Sequence, residues 1–254
     1  MDDSSNPENQ PSPACPACGT LQDVETSFSK HLAPELDRPL PAAVHGLAVL
    51  SRADRPGADA REVWRCPRCG ALYDYVQTHE YLINGTEEEE TLARMDPLRR
   101  ATYLRDLARG LEETRREIDL LQGAAGRLGD YVDRGTRDAQ EIAAAIDDLQ
   151  AHARQATELR GHLQAWVQGL RRACPEVLAV WAQAHAAVCR SFLESLPATG
   201  DDAQTARHVA RSAQEAWERL PIDGETFIAT PAPWLPGYLE RLDPLLRLPP
   251  RTGV

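Results

Sequence analysis

Two pentapeptides dominate this sequence: Cys-Pro-Ala-Cys-Gly at 15–19 and Cys-Pro-Arg-Cys-Gly at 66–70. In both, Pro follows the first Cys and Gly follows the second. A thiolate needs backbone N–H donors to spread its charge, and a tight knuckle supplies them; a closing Gly tolerates a positive φ. One such knuckle is weak evidence of a metal site. Two matching copies offer four sulfurs, enough for a closed tetrahedral site.

These residues resemble the knuckles of the zinc-ribbon class, and those of rubredoxin, which holds iron in a similar cage. The resemblance covers the ligand pentapeptides and the strands beside them. It implies Cys15, Cys18, Cys66 and Cys69 as ligands of one Zn²⁺ per chain. The sequence departs from the pattern in one respect. The gap between Cys18 and Cys66 holds 47 residues, against about 15–20 in the usual spacing. Either an insertion separates the knuckles or each has another partner, with His31 and His45 as substitutes. Zinc is preferred to iron because nothing else in the chain suggests electron transfer. A closed four-sulfur site is structural, and its binding energy folds the module that holds it, on the order of 10–16 kcal/mol in small zinc peptides.

A redox Cys-x-x-C pair is the competing reading. That chemistry favours one pair at a helix start beside a βαβ pattern. Here Cys66 follows a β-like stretch, Val63-Trp64-Arg65, and Cys69 precedes another, which fits a knuckle at a hairpin tip. Cys174 and Cys189 read as free thiols in the core.

The region 14–85 is expected to be a zinc-ribbon-like module with an insertion, after a disordered tail at 1–13. His45–Arg52 reads as a strand. Ala71–Ile83 alternates, with Tyr73, Tyr75, Gln77, His79 and Tyr81 on one face. Tyr73, Tyr75 and Tyr81 are the candidate partner-binding residues. Thr86 reads as a helix N-cap with Glu89 as its capping-box partner, which would put Glu87–Glu90 in a first helical turn.

Asp96-Pro97 is a cap followed by a proline at the first helical position. Beyond it, two rows at seven-residue spacing run through Leu104, Leu111, Ile118 and on to Val167, and through Leu107, Thr114, Leu121, Leu128 and on to Leu170, broken only at Thr114, Gly135 and Arg160. That is a coiled-coil pattern of nearly ten heptads. As one rod the helix would be about 115 Å long. Gly123, Gly126, Gly129 and Gly135 instead suggest a bend, each costing about 1 kcal/mol against Ala. The expected result is a hairpin with arms near 97–122 and 136–172; a parallel homodimeric rod through the heptads is the alternative. Helices follow from Pro175 to about Leu196, where His185 sits on an apolar stripe as a core histidine, and from Asp201 to about Leu220. Residues 221–254 read as a proline-rich segment, laying Phe227, Ile228 and Trp234 across the bundle, with a short helix near Tyr238–Leu246. The fold class is mostly α: a small N-terminal β module, then a helical hairpin and bundle over 86–220.

Composition narrows function. Net charge is −11, with 39 acidic residues against 28 basic ones, a poor match for phosphate backbones. No apolar run is long enough to span a bilayer, and the first residues lack the regions of a secretory signal. The expectation is a cytoplasmic protein with no membrane association. No phosphate-binding, zinc-protease or nucleophile-elbow motif is present. The sequence therefore predicts a non-catalytic zinc protein whose helices mediate protein–protein interaction. The alternatives are a redox-responsive zinc regulator or a nucleic-acid-associated ribbon.

Overall fold

A computed structural model of the chain describes residues 15–53, 60–82, 85–134, 139–223 and 237–247. The readings for the 1–13 tail and for Phe227, Ile228 and Trp234 fall outside them. The fold is mostly α, with an antiparallel five-stranded sheet preceding five helices. It divides into two compact units, residues 1–100 and 101–254.

The first unit is the sheet: β1 (Val24–Lys30), β2 (Ala48–Ala53), β3 (Ala60–Arg65), β4 (Leu72–Leu82) and β5 (Gly85–Arg94), in the spatial order β1-β5-β4-β3-β2. The described part of the 47 residues between the knuckles carries β1, two short 3₁₀ turns, β2 and β3. Alternation in β4 does set its faces. Tyr73, Tyr75, Gln77, His79 and Tyr81 pair with Arg94, Leu92, Glu90, Glu88 and Thr86 of β5, so the residues of both sets share one side.

The glutamate run is not a helix start. Residues 87–90 lie in β5, an interior strand of the sheet between β1 and β4. Helix propensity is a weak prior, and here cross-strand partners override it. Lys30 Nζ meets Glu87 at 2.6 Å, His79 Nδ1 meets Glu88 at 3.3 Å, and Glu90 accepts from Ser27 Oγ at 2.6 Å and Tyr75 Oη at 2.5 Å. Gly85, at φ 127°, closes the turn where a side chain would be strained.

The helices are α1 (Pro97–Asp133), α2 (Ala139–Ala173), α3 (Pro175–Ser195), α4 (Asp201–Asp223) and α5 (Tyr238–Leu246). The Asp96 cap forms as read: its Oδ1 accepts from Arg99 N–H at 2.8 Å. The hairpin is present, but its bend is displaced. α1 runs straight through Gly123, Gly126 and Gly129 and ends at Asp133, because a glycine lowers helix stability without removing a backbone hydrogen bond. A Cβ at Gly110 would lie 3.1 Å from the Trp166 ring, and one at Gly129 would lie 3.6 Å from Leu149 Cδ1. Tyr131 Oη reaches Glu141 Oε2 at 3.2 Å. As the α1 number rises the α2 number falls, so the two helices run antiparallel.

The buried stripe of α1 keeps the first heptad row at Leu104, Leu111 and Ile118, but adds Ala108, Glu112 and Arg115 in place of Leu107 and Leu121 of the second. The stripe on α3 matches the reading, with Leu178, Trp181, His185, Val188 and Phe192 all buried. None of the helices is long and apolar enough to cross a membrane, among the described residues.

Candidate metal centre

The second knuckle sits at the tip of the β3–β4 hairpin, where the chain must reverse in few residues. Cys66 N–H bonds Ala71 O at 2.9 Å, and Gly70 N–H bonds Cys66 O at 2.9 Å. Gly70 takes φ 75° to close it. The first knuckle repeats the turn, with Gly19 N–H on Cys15 O at 2.6 Å. Gly19 does not adopt a positive φ, so the shared Gly answers a backbone demand only in the second copy.

Packing then brings the knuckles together. Cys18 and Cys66 are buried with Leu21, Val44, Tyr73, Tyr75 and Leu92 in one apolar cluster. Cys15 is half-buried and Cys69 exposed. Cys15 Sγ lies 3.8 Å from Cys66 Sγ, Cys18 Sγ lies 3.5 Å from Cys69 Sγ, and all four sulfurs fall within 4.8 Å of one another. Metal–sulfur bonds of about 2.3 Å at tetrahedral angles put sulfurs about 3.8 Å apart. The four cysteines can therefore hold one metal ion. His31 and His45 are not part of this group, which needs no substitute ligand.

The sulfurs differ electrostatically. Backbone N–H groups of Ala17 and Cys18 bring the Cys15 thiol down to about 6. Burial pushes Cys18 up to about 12 and raises Cys69 as well. Bound metal is what lets a buried thiol ionise, since coordination deprotonates it.

The tyrosine face does not present one surface. Tyr73 and Tyr75 are 0% and 7% exposed, whereas Tyr81 is 84% exposed. Tyr75 stacks on Trp64 with ring centroids 4.7 Å apart, and Tyr73 Oη accepts from Arg94 Nη2 at 3.1 Å. Cys174 and Cys189 are buried and in no disulfide, as read.

The helical unit holds a second polar centre that the sequence pattern hid. Glu112 is 1% exposed. Its Oε2 accepts from Trp181 Nε1 at 3.0 Å and His185 Nε2 at 2.9 Å, and its Oε1 accepts from Arg115 Nη2 at 2.6 Å and Arg116 Nε at 3.3 Å. The Tyr238 hydroxyl donates to His185 Nδ1. Burial raises the Glu112 carboxyl, but the His185 and Arg115 hydrogen bonds outweigh it and hold it below the usual carboxylate range. Burial lowers His185 to about 4, so Glu112 is ionised and His185 neutral at pH 7. The signal for Glu112 was its pairing at three and four residues with Arg115 and Arg116, beside Leu111 of the heptad row.

No known family matches the chain, and neither does any curated protein or solved structure.

Proposed function

We propose that this is a non-catalytic zinc protein. Its four-cysteine centre fixes a zinc-ribbon-like sheet module, and its helices engage another protein in a reducing, cytoplasmic setting. The observation that carries the reading is the convergence of four sulfurs, from knuckles far apart in sequence, to within 4.8 Å. The donor set supports zinc, since all-thiolate tetrahedra suit zinc or iron–sulfur chemistry. With all four positions taken by protein, a bound ion has no open site for substrate. The lack of a disulfide among the six cysteines accords with a reducing compartment. Support for a protein partner is the exposure of apolar side chains on the hairpin helices: Leu120, Tyr131 and Ile146 are 72%, 45% and 38% exposed.

Elemental analysis of purified protein tests the metal. About one zinc per chain is expected, lost in Cys66→Ser and Cys69→Ser; a metal-free wild-type chain with a folded sheet would sink the reading. Crosslinking in cells tests the partner: Leu120→Glu should abolish the adduct formed by the wild-type chain, and an unchanged adduct pattern counts against the hairpin surface.

A redox-responsive centre is the second reading. It draws on the low Cys15 thiol and the exposed Cys69. Zinc retained under mild peroxide rules it out.

A further inference from the structure

We propose that the β4–β5 turn end of the sheet is a docking surface for a basic, amphipathic segment of another protein. The cysteines take no part in it. β4 runs 11 residues from Leu72, beside the second knuckle, to Leu82, which puts its two ends roughly 34 Å apart. At the far end Tyr81, Leu32 and Leu36 are 84%, 67% and 50% exposed. One such side chain is ordinary on a surface; three at one end of a sheet are not. Backbone pairing brings them together. Tyr81 stands opposite Thr86, and the Thr86 carbonyl accepts from His31 N–H at 3.1 Å, which lays the segment after β1 beside the turn. Leu32 there lies against Gly85, where an added Cβ would be 3.5 Å from Leu32 Cγ. The chain then curls back. Ala33 N–H bonds Lys30 O at 3.0 Å, Leu36 N–H bonds Ala33 O at 3.0 Å, and Lys30 N–H bonds Asp37 Oδ1 at 3.1 Å. A hydrogen-bonded loop thus holds both leucines out in water.

Charge identifies the occupant. Glu80 and Glu87 stand directly opposite each other across the β4–β5 ladder, an arrangement that weakens a sheet. Glu89 shares their face and Glu88 takes the other, while Glu35 and Asp37 add acid from the loop. Lys30 answers Glu87 and His79 meets Glu88. Glu80 and Glu89 are exposed, and no cation among the described residues pairs them. The apolar end is therefore rimmed by surplus negative charge. A second copy of this chain, at net charge −11, would bring like charge to that rim, as would nucleic acid or anionic lipid. Lys and Arg side chains complement it, with apolar residues between them to cover Leu32, Leu36 and Tyr81. A basic amphipathic helix has that pattern.

A synthetic helical peptide of Leu and Lys, its leucines on one face, is the probe, titrated into the isotope-labelled full chain and followed by amide chemical shifts. Shifts should gather at 30–37, 79–81 and 86–89, and a peptide with Glu in place of Lys should leave them unmoved. Leu32→Ser and Tyr81→Ser should each weaken binding about tenfold. The double variant Glu80→Lys with Glu89→Lys should weaken it too, and so should added salt. All four positions are exposed, so the variants fold. Leu120→Glu, on the helical hairpin, should bind as wild type, which separates this surface from that one. Shifts gathered on the knuckles or helices, or wild-type affinity in the sheet variants, would overturn the proposal. So would sedimentation showing that the chain pairs with itself and that Tyr81→Ser parts the copies, since the occupant would then be a second copy.

Discussion

His185 Nε2 lies 2.9 Å from Glu112 Oε2, and neither side chain reaches solvent. Because an ionised carboxylate only accepts, the imidazole proton sits on Nε2 and the Tyr238 hydroxyl fills Nδ1. The sequence places these three residues on α1, α3 and α5. The carboxylate is therefore what the bundle closes around.

Removing that carboxylate leaves buried Arg115 without its partner. Glu112→Ala should destabilise the helical unit by about 3–5 kcal/mol, the usual cost of breaking a buried pair. Chemical denaturation followed at the helical circular-dichroism signal measures it. A loss under about 1 kcal/mol would show that the pair is not needed.

Acid should weaken the same unit, and the window follows from His185. Its folded value of about 4 lies below the ordinary 6.5. As pH falls through 6.5 the unfolded chain takes up a proton that the folded chain refuses, so stability drops by up to about 1.4 kcal/mol per pH unit until about pH 4. Glu112, held low, adds a further loss once pH falls below its ordinary 4.5. His185→Gln should flatten the slope between pH 6.5 and 4; a slope as steep as wild type would assign the effect to other groups.

Thiol reactivity should separate the cysteines once metal is stripped. Cys15 lies in a partly open knuckle that loses the ion fixing it, whereas burial puts Cys189 at about 11. Under native conditions at pH 7, alkylation of Cys15 should outpace that of Cys189 by more than about a hundredfold. Peptide mass spectrometry after timed quenching reads this out. Comparable labelling would mean that the helical core opens as readily as the knuckle.

Glycine in α1 offers a test with the opposite sign. A Cβ at Gly126 meets nothing within 4 Å. Gly126→Ala should stabilise by about 1 kcal/mol through helix propensity. At Gly110 the added carbon would come within 3.1 Å of Trp166 Cη2, so Gly110→Leu should destabilise instead. The two thermal midpoints should move apart; movement in one direction would mean that Trp166 does not pack on Gly110.

The four-cysteine cluster was legible because its signal is local: ligand type, spacing and turn residue all lie within each pentapeptide. Helix starts at Asp96-Pro97 and Pro175 were legible for the same reason. Glu87–Glu90 were misread because their neighbours Lys30, Ser27, Tyr75 and His79 come from other strands, and no short window contains them. The hairpin bend was misplaced because glycine marks where a helix is weak rather than where it must end. Glu112 stayed hidden because hydrophobic patterning treats a charged residue as solvated, and burial here depends on donors from α3.

The 47 residues between Cys18 and Cys66 have a kinetic consequence. A chain emerging from the ribosome exposes the first knuckle well before the second exists. Two sulfurs alone make a poor cage, and closing the long loop carries an entropic cost that the intervening strands must offset by pairing. An ion held by all four sulfurs would accordingly load late, after β3 has arrived, and the Cys15 and Cys18 thiols would pass through synthesis unprotected.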